Sequence, residues 1–238
     1  MRAAKSIFIK QLNDLPKNVS ILLLYIMYPG MALMMTTFLD DNSFVVTFAM
    51  MFVGGTPLVT VANSIAEDVE YKSLRFLMIA GVKPHQYMLG LGGFTLILAI
   101  PTLAVFGLIG GYGPEAFAVF MLLSLLGCIP SAILGAVVGI FSKNVQQSSA
   151  IYTPLMIIIG FLPFISLFNE TVQRLAYPLF TQQIFMRIAD ITFFGSGVDY
   201  EATYVTQDFI NSVLIILGNI VVFGLLFIIA YKKKGLKG

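Results

Sequence analysis

Long runs without one charged side chain alternate with short charged segments along this chain. The charge-free runs are Asn18–Leu39, Asn42–Ala66, Pro84–Pro114, Ala116–Ser142, Asn144–Asn169 and Phe209–Tyr231. A helix rises about 1.5 Å per residue and needs about 20 residues to cross roughly 30 Å of hydrocarbon, so each run is long enough. None alternates with period two, which argues against a membrane β-barrel. In lipid the backbone must then bond within each segment, and that makes the runs helices. The pattern predicts an all-α integral membrane protein, a single transmembrane domain over residues 1–238. Its six spans fall at about 18–39, 44–65, 86–110, 116–141, 147–169 and 209–231.

Composition agrees. The hydrophobic fraction is 58% and the charged fraction 11%, against about 45–50% and about 25% in an average soluble domain. A soluble enzyme, a disordered chain and a nucleic-acid binder are excluded on that ground. Charge distribution then sets orientation. With the N-terminus cytoplasmic, only Arg174 and Arg187 among the 14 basic residues lie outside, so both termini are placed in the cytoplasm. No acidic or basic residue falls deep within a span, which counts against an ion-coupled pump. Met1-Arg-Ala-Ala-Lys5-Ser-Ile-Phe does not read as a cleaved signal peptide. Cys128 and His85 stand alone of their kinds, leaving no metal-ligand set, and read as a packing residue and a polar residue at a span boundary.

Three segments outside the spans carry a pattern. In residues 1–17, Ala4, Phe8, Leu12 and Leu15 share a face opposite Lys10, Asp14 and Lys17, which predicts a helix lying in the inner interface; an ordinary basic flank that anchors topology is the plain alternative. Between spans two and three, Asp68 and Lys72 form an i,i+4 pair and Val69, Phe76, Leu77 and Ala80 share a face with Ser73. Gly81 supplies a C-cap and Pro84 a stop. This predicts a short helix, acidic at its start and basic toward its end; a solvated connector is the plain alternative. Residues 170–208 form an external segment in which Ile184, Phe185, Ile188 and Ile191 share a helical face, either capping the spans or lying on the outer leaflet. Within span four, Gly127, Ser131, Gly135 and Gly139 recur at every fourth position, a stripe that permits close helix contact within the chain or with a second copy.

The run Asp68-Val-Glu70-Tyr-Lys-Ser73-Leu74-Arg-Phe-Leu77-Met-Ile-Ala-Gly81-Val82, followed by Gln86-Tyr87-Met-Leu89-Gly90, resembles the signature of ABC-2 type permeases, the transmembrane subunits of ATP-binding-cassette (ABC) exporters. Val69 stands where that family often has Arg, Lys72 where it often has Gly, and Leu91 where it often has Lys. The resemblance implies that the segment is a coupling helix seated on a separate ATPase, with Glu67, Asp68, Glu70, Lys72, Ser73 and Arg75 as contact residues and Phe76 and Leu77 anchoring it to the spans. It implies two ATPase copies, a second permease subunit as homodimer or heterodimer, and export of an amphipathic or hydrophobic substrate such as a drug or antimicrobial peptide across the plasma membrane.

The chain has no G-x-x-x-x-G-K-[ST] loop. It is therefore expected to be no enzyme and to hold no cofactor itself, ATP and Mg being bound by the partner. Two rivals come from other classes. A secondary transporter would need no ATPase. An intramembrane hydrolase would need a polar catalytic set, and although Ser124, Ser131 and Tyr152 are available, no acid lies within a span to orient a base.

Overall fold

The computed structural model describes residues 2–193 and 209–234. These residues are helical almost throughout: α1 (Arg2–Asp14), a 3-10 turn (Leu15–Lys17), α2 (Val19–Leu39), α3 (Ser43–Glu70), α4 (Ser73–Ile79), α5 (Pro84–Ile109), α6 (Pro114–Phe141), α7 (Val145–Ile165), α8 (Glu170–Ala176), α9 (Phe180–Phe193) and α10 (Phe209–Lys234). Six of them, α2, α3, α5, α6, α7 and α10, are long and apolar enough to cross a bilayer, as a multi-pass membrane protein requires.

Helix α3 is the axis. From Val45 to Ala66 every residue but Met51 is buried. Lipid is as apolar as leucine, so such packing needs close contact rather than water exclusion. Small residues supply it. A Cβ on Gly135 of α6 would fall on the Leu58 carbonyl, one on Gly139 on Ile65, and one on Gly127 on Ile184 and Val53. The Ser131 hydroxyl donates to the Gly54 carbonyl at 2.9 Å. The stripe thus faces α3 and α9 of the same chain. On the other side, Gly54 meets Gly160 of α7, whose Cα would lie 3.1 Å from an added Cβ.

The segment after α7 departs from its expected place. Phe180, Thr181, Gln182, Gln183, Ile184, Phe185, Met186 and Ile188 are all buried, around the helix rather than on one face. The Phe180 ring meets Phe223 edge-on at 6.3 Å, Thr181 donates to the Ile159 carbonyl at 2.7 Å, and Asn219 donates to the Pro178 carbonyl at 2.8 Å. Asn219 lies ten residues into α10, roughly 15 Å from its start. The chain therefore turns back among the spans at residues 177–179 and rises again as α9. Residues 170–193 are re-entrant, not confined to the ends of the helices. Tyr177 and Pro178 are exposed, and the turn is tolerated because their carbonyls find protein donors. Asn219 satisfies the Pro178 carbonyl, and the Gln183 amide donates to that of Tyr177. The side chain of Ile191 and residues 194–208 lie outside the described residues.

Candidate functional site

The polar end where α1, α3, α4 and α5 meet is built around one carboxylate. Helix α3 runs five residues past the predicted end of its span, to Glu70, so Glu67, Asp68 and Glu70 belong to this long helix and not to the short one. The chain breaks at Lys72, which has φ +59° and ψ 10°. The expected Asp68–Lys72 helical pair does not form, because the break turns Lys72 away.

Asp68, 4% exposed, takes other partners. Its Oδ1 accepts from Lys10 Nζ at 2.7 Å and from the Ser73 hydroxyl at 2.6 Å, while the Tyr87 hydroxyl donates to Oδ2 at 2.6 Å. One side chain thus ties α1, α3, α4 and α5 together. Such charge-assisted bonds are short and strong. Beside it Asn18 donates to Glu67 at 3.1 Å, and a cavity of about 40 Å³ lies among Lys10, Gln11, Asn18, Ser64 and Glu67. Glu70 accepts from the Val145 backbone N–H at 3.1 Å, pinning the start of α7, which Asn144 caps.

Helix α1 is correspondingly rotated from its predicted setting. Lys10 turns inward to Asp68 and Leu12 is exposed, while Ile7 and Gln11 are buried. The Ala4 carbonyl and Ile7 approach Gly90 of α5 so closely that a Cβ there would lie 2.7 Å from that oxygen. Phe8 meets Phe94 edge-on at 6.3 Å. The ion pair with Asp68, distant in sequence, outweighs the local amphipathic pattern.

Helix α4 is anchored by Leu74, which is fully buried. Phe76 is exposed and Leu77 half-buried, so the expected Phe76 anchor is replaced: the break at Lys72 resets the helical phase by which that face was read. At its end, Gly81 at φ +84° donates to the Met78 carbonyl and Val82 to Leu77, a Schellman closure. Gln86 accepts from the Lys83 N–H at 3.1 Å, closing the start of α5. What remains outward is Tyr71, Lys72, Arg75, Phe76 and Ile79, a small face of mixed basic and apolar character on a helix fixed at both ends.

The chain matches no family model and no curated protein. Of the six residues singled out at this end, the structure brings Asp68 and Ser73 together in the hub, sets Glu67 and Glu70 as braces, and leaves Lys72 and Arg75 on the outward face. Sequence reasoning missed Lys10, Asn18 and Tyr87. Among the described residues no group of three or more His, Cys, Asp and Glu side chains gathers to hold a metal.

The other end holds a second polar group. Arg187 of α9 donates to Ser212 of α10 at 3.3 Å and lies 3.8 Å from Asp190. Burial raises the Asp190 carboxyl above the usual aspartate range, opposed by the Arg187 charge. Tyr112 and Thr192 share a 3.0 Å hydrogen bond, and burial pushes that phenol up to about 12.

Proposed function

We propose that this chain is the membrane-spanning permease subunit of an ATP-driven exporter of the ABC-2 type. The observation that carries the reading is the outward face of α4, held rigidly between two spans. A motor outside the membrane needs a handle that moves the spans when pushed. Leu74, the Asp68 hub and the Glu70 brace make α4 such a handle, and Tyr71, Lys72, Arg75, Phe76 and Ile79 offer a partner apolar anchors ringed by positive charge. The left-handed backbone at Lys72 also fits the resemblance, since it falls where those permeases often carry glycine.

In this reading α1, α4 and both termini face the cytoplasm, α1 lies along the inner interface with Ile9 and Leu12 toward lipid, and two ATPase subunits bind the α4 faces of two permease chains. ATP and Mg are bound by the ATPase. The re-entrant α8–α9 segment closes the outer side of the path of an amphipathic or hydrophobic substrate, such as a drug or antimicrobial peptide, out across the plasma membrane. Copurification of the tagged full chain from its native host tests this. An ATPase subunit is expected with the unaltered chain and is expected to be lost with the Arg75→Glu, Phe76→Ser double variant, while that variant still elutes as a single monodisperse peak of the permease without the ATPase. Recovery of a folded chain without any ATPase would overturn the reading.

A further inference from the structure

An apolar groove of about 390 Å³ runs between α5, α6 and α10, within the roughly 300–1,000 Å³ of ordinary ligand pockets. Gly92 of α5, Ala132 and Ala136 of α6, and Gly224 of α10 shape it, and Leu89 and Ile228 stand at its edge. Its glycines differ from those of the α3–α6 contact. A Cβ on Gly92 or Gly224 would meet nothing within 4 Å, whereas one on Gly135 would strike backbone. Small residues in spans normally admit a neighbouring helix; here they leave space that no helix among the described residues fills. In a bilayer such space is filled, because its lining otherwise loses contact partners.

The groove extends along α5 from Met88 to Leu96, roughly 12 Å of helix. One end is basic. His85 precedes Leu89 by four residues and Lys232 follows Ile228 by four, so each stands one helical turn beyond the groove edge on the same face, and both are exposed. The nearby acids are engaged elsewhere: Asp68 with Lys10, Glu67 with Asn18, Glu70 with the Val145 N–H. Among the described residues, no carboxylate pairs with Lys232 or His85.

We infer that the groove is a binding site for one anionic phospholipid, an acyl chain lying along Gly92 and Gly224 and its phosphate between Lys232 and His85. The inference stands apart from the transport reading and requires only that the six apolar helices lie in a bilayer.

The chain contains no tryptophan, so a single one reports on its surroundings. Phe227→Trp places the reporter in the groove, and Leu225→Trp, on the exposed side of α10, serves as the control. The full chain is reconstituted in phosphatidylcholine vesicles with increasing phosphatidylglycerol brominated on its acyl chains. Quenching at position 227 is expected to saturate at low mole fraction, with a preference for the anionic lipid of about fivefold from Lys232; quenching at 225 is expected to follow bulk composition. Lys232→Gln should remove the preference. Gly92→Leu with Gly224→Leu should abolish the saturable phase at 227 while the 225 reporter in the same background is still quenched, which shows that the blocked chain is inserted. Native mass spectrometry of the unaltered chain should retain one phosphatidylglycerol. Identical behaviour at 227 and 225, or saturation without preference between the two lipids, overturns the proposal.

Discussion

At one end of the bundle Asp68 is 4% exposed and its two oxygens receive Lys10, Ser73 and Tyr87. Inside the re-entrant segment Gln182 and Gln183 are wholly buried, yet Gln182 Nε2 and Gln183 Oε1 have no partner among the described residues, and neither has Arg187 Nη2 farther along α9. Both places put polar side chains where water is scarce, but the Asp68 carboxylate has a partner on each oxygen, although the Ser64 hydroxyl in the cavity beside it, like the glutamine atoms, has none among the described residues. A fully satisfied network fixes one arrangement of the elements it joins, while a partly satisfied one holds its elements less firmly. The α1–α3–α4–α5 joint is therefore built to stay together as a unit. The re-entrant α9 is held instead by apolar packing of Phe180, Ile184, Phe185 and Ile188 in the core, with Thr181–Ile159, Ser166–Gln182 and Arg187–Ser212 as scattered hydrogen bonds to its neighbours.

The sharpest way to break this comparison is to remove the hub. Asp68→Ala removes the acceptor of Lys10, Ser73 and Tyr87. The Lys10 side chain, 40% exposed, keeps water, so the loss falls on the two hydroxyls left unpaired, at about 1–3 kcal/mol each. The loss should appear as a lowered unfolding midpoint in detergent and as faster amide exchange through α1, which is held there by Lys10. Asp68→Asn keeps the size and can still accept from Tyr87, so it should lose less than Asp68→Ala. An Asp68→Ala chain as stable as the parent would show that the hub holds nothing.

The counterpart in the re-entrant segment should be milder. Asn219→Leu frees the Pro178 carbonyl of its donor, and single interhelical hydrogen bonds in membrane proteins are worth about 0.6–1.7 kcal/mol. Gln182→Met removes an amide with one unsatisfied atom and should be close to neutral in the same unfolding assay, because replacing an incompletely bonded polar group by an apolar one of similar shape forfeits little. If either change equals Asp68→Ala in cost, the two places do not differ in kind.

How much of this was legible follows the same division. Length and apolarity alone give six long helices, and residues 19–39 and 114–141 stand within two residues of their expected limits. The end of α3 was hidden because Glu67, Asp68 and Glu70 look like solvent-facing charges, and only folding brings Lys10, Asn18 and the Val145 N–H to them. Phe76 was misread for a related reason: one residue in left-handed backbone at position 72 breaks the periodicity on which the prediction rested. The re-entrant segment was hidden because Gln182, Gln183, Arg187 and Asp190 gave it the polarity of an external loop. One signal did exist. Asn219 stands in the middle of an otherwise apolar run, and a polar side chain at that depth calls for a partner.

A further small effect concerns the break that separates hub from handle. Lys72 holds φ +59°, a conformation in which an L-residue's Cβ crowds its own backbone at a cost of roughly 1–2 kcal/mol. Glycine carries no such penalty but gains freedom in the unfolded chain, which takes back about 0.5–1 kcal/mol. Lys72→Gly should therefore stabilise the chain by up to about 1 kcal/mol. Arg75→Gly, one turn on in α4 at an exposed helical position, should do the reverse and cost about 0.8–1.0 kcal/mol. The pair differs in sign although both changes remove one exposed positive charge at the same end of the molecule, so charge cannot account for the difference. Unfolding midpoints of the two variants, measured in one detergent against the parent, decide it. Stabilisation at 72 with loss at 75 places the break where the backbone requires it, between a helix fixed by Asp68 and a short one fixed by Leu74. If Lys72→Gly destabilises as much as Arg75→Gly, residue 72 is helical in solution and α3 runs on into α4 without the elbow that aims Tyr71, Arg75 and Phe76 outward.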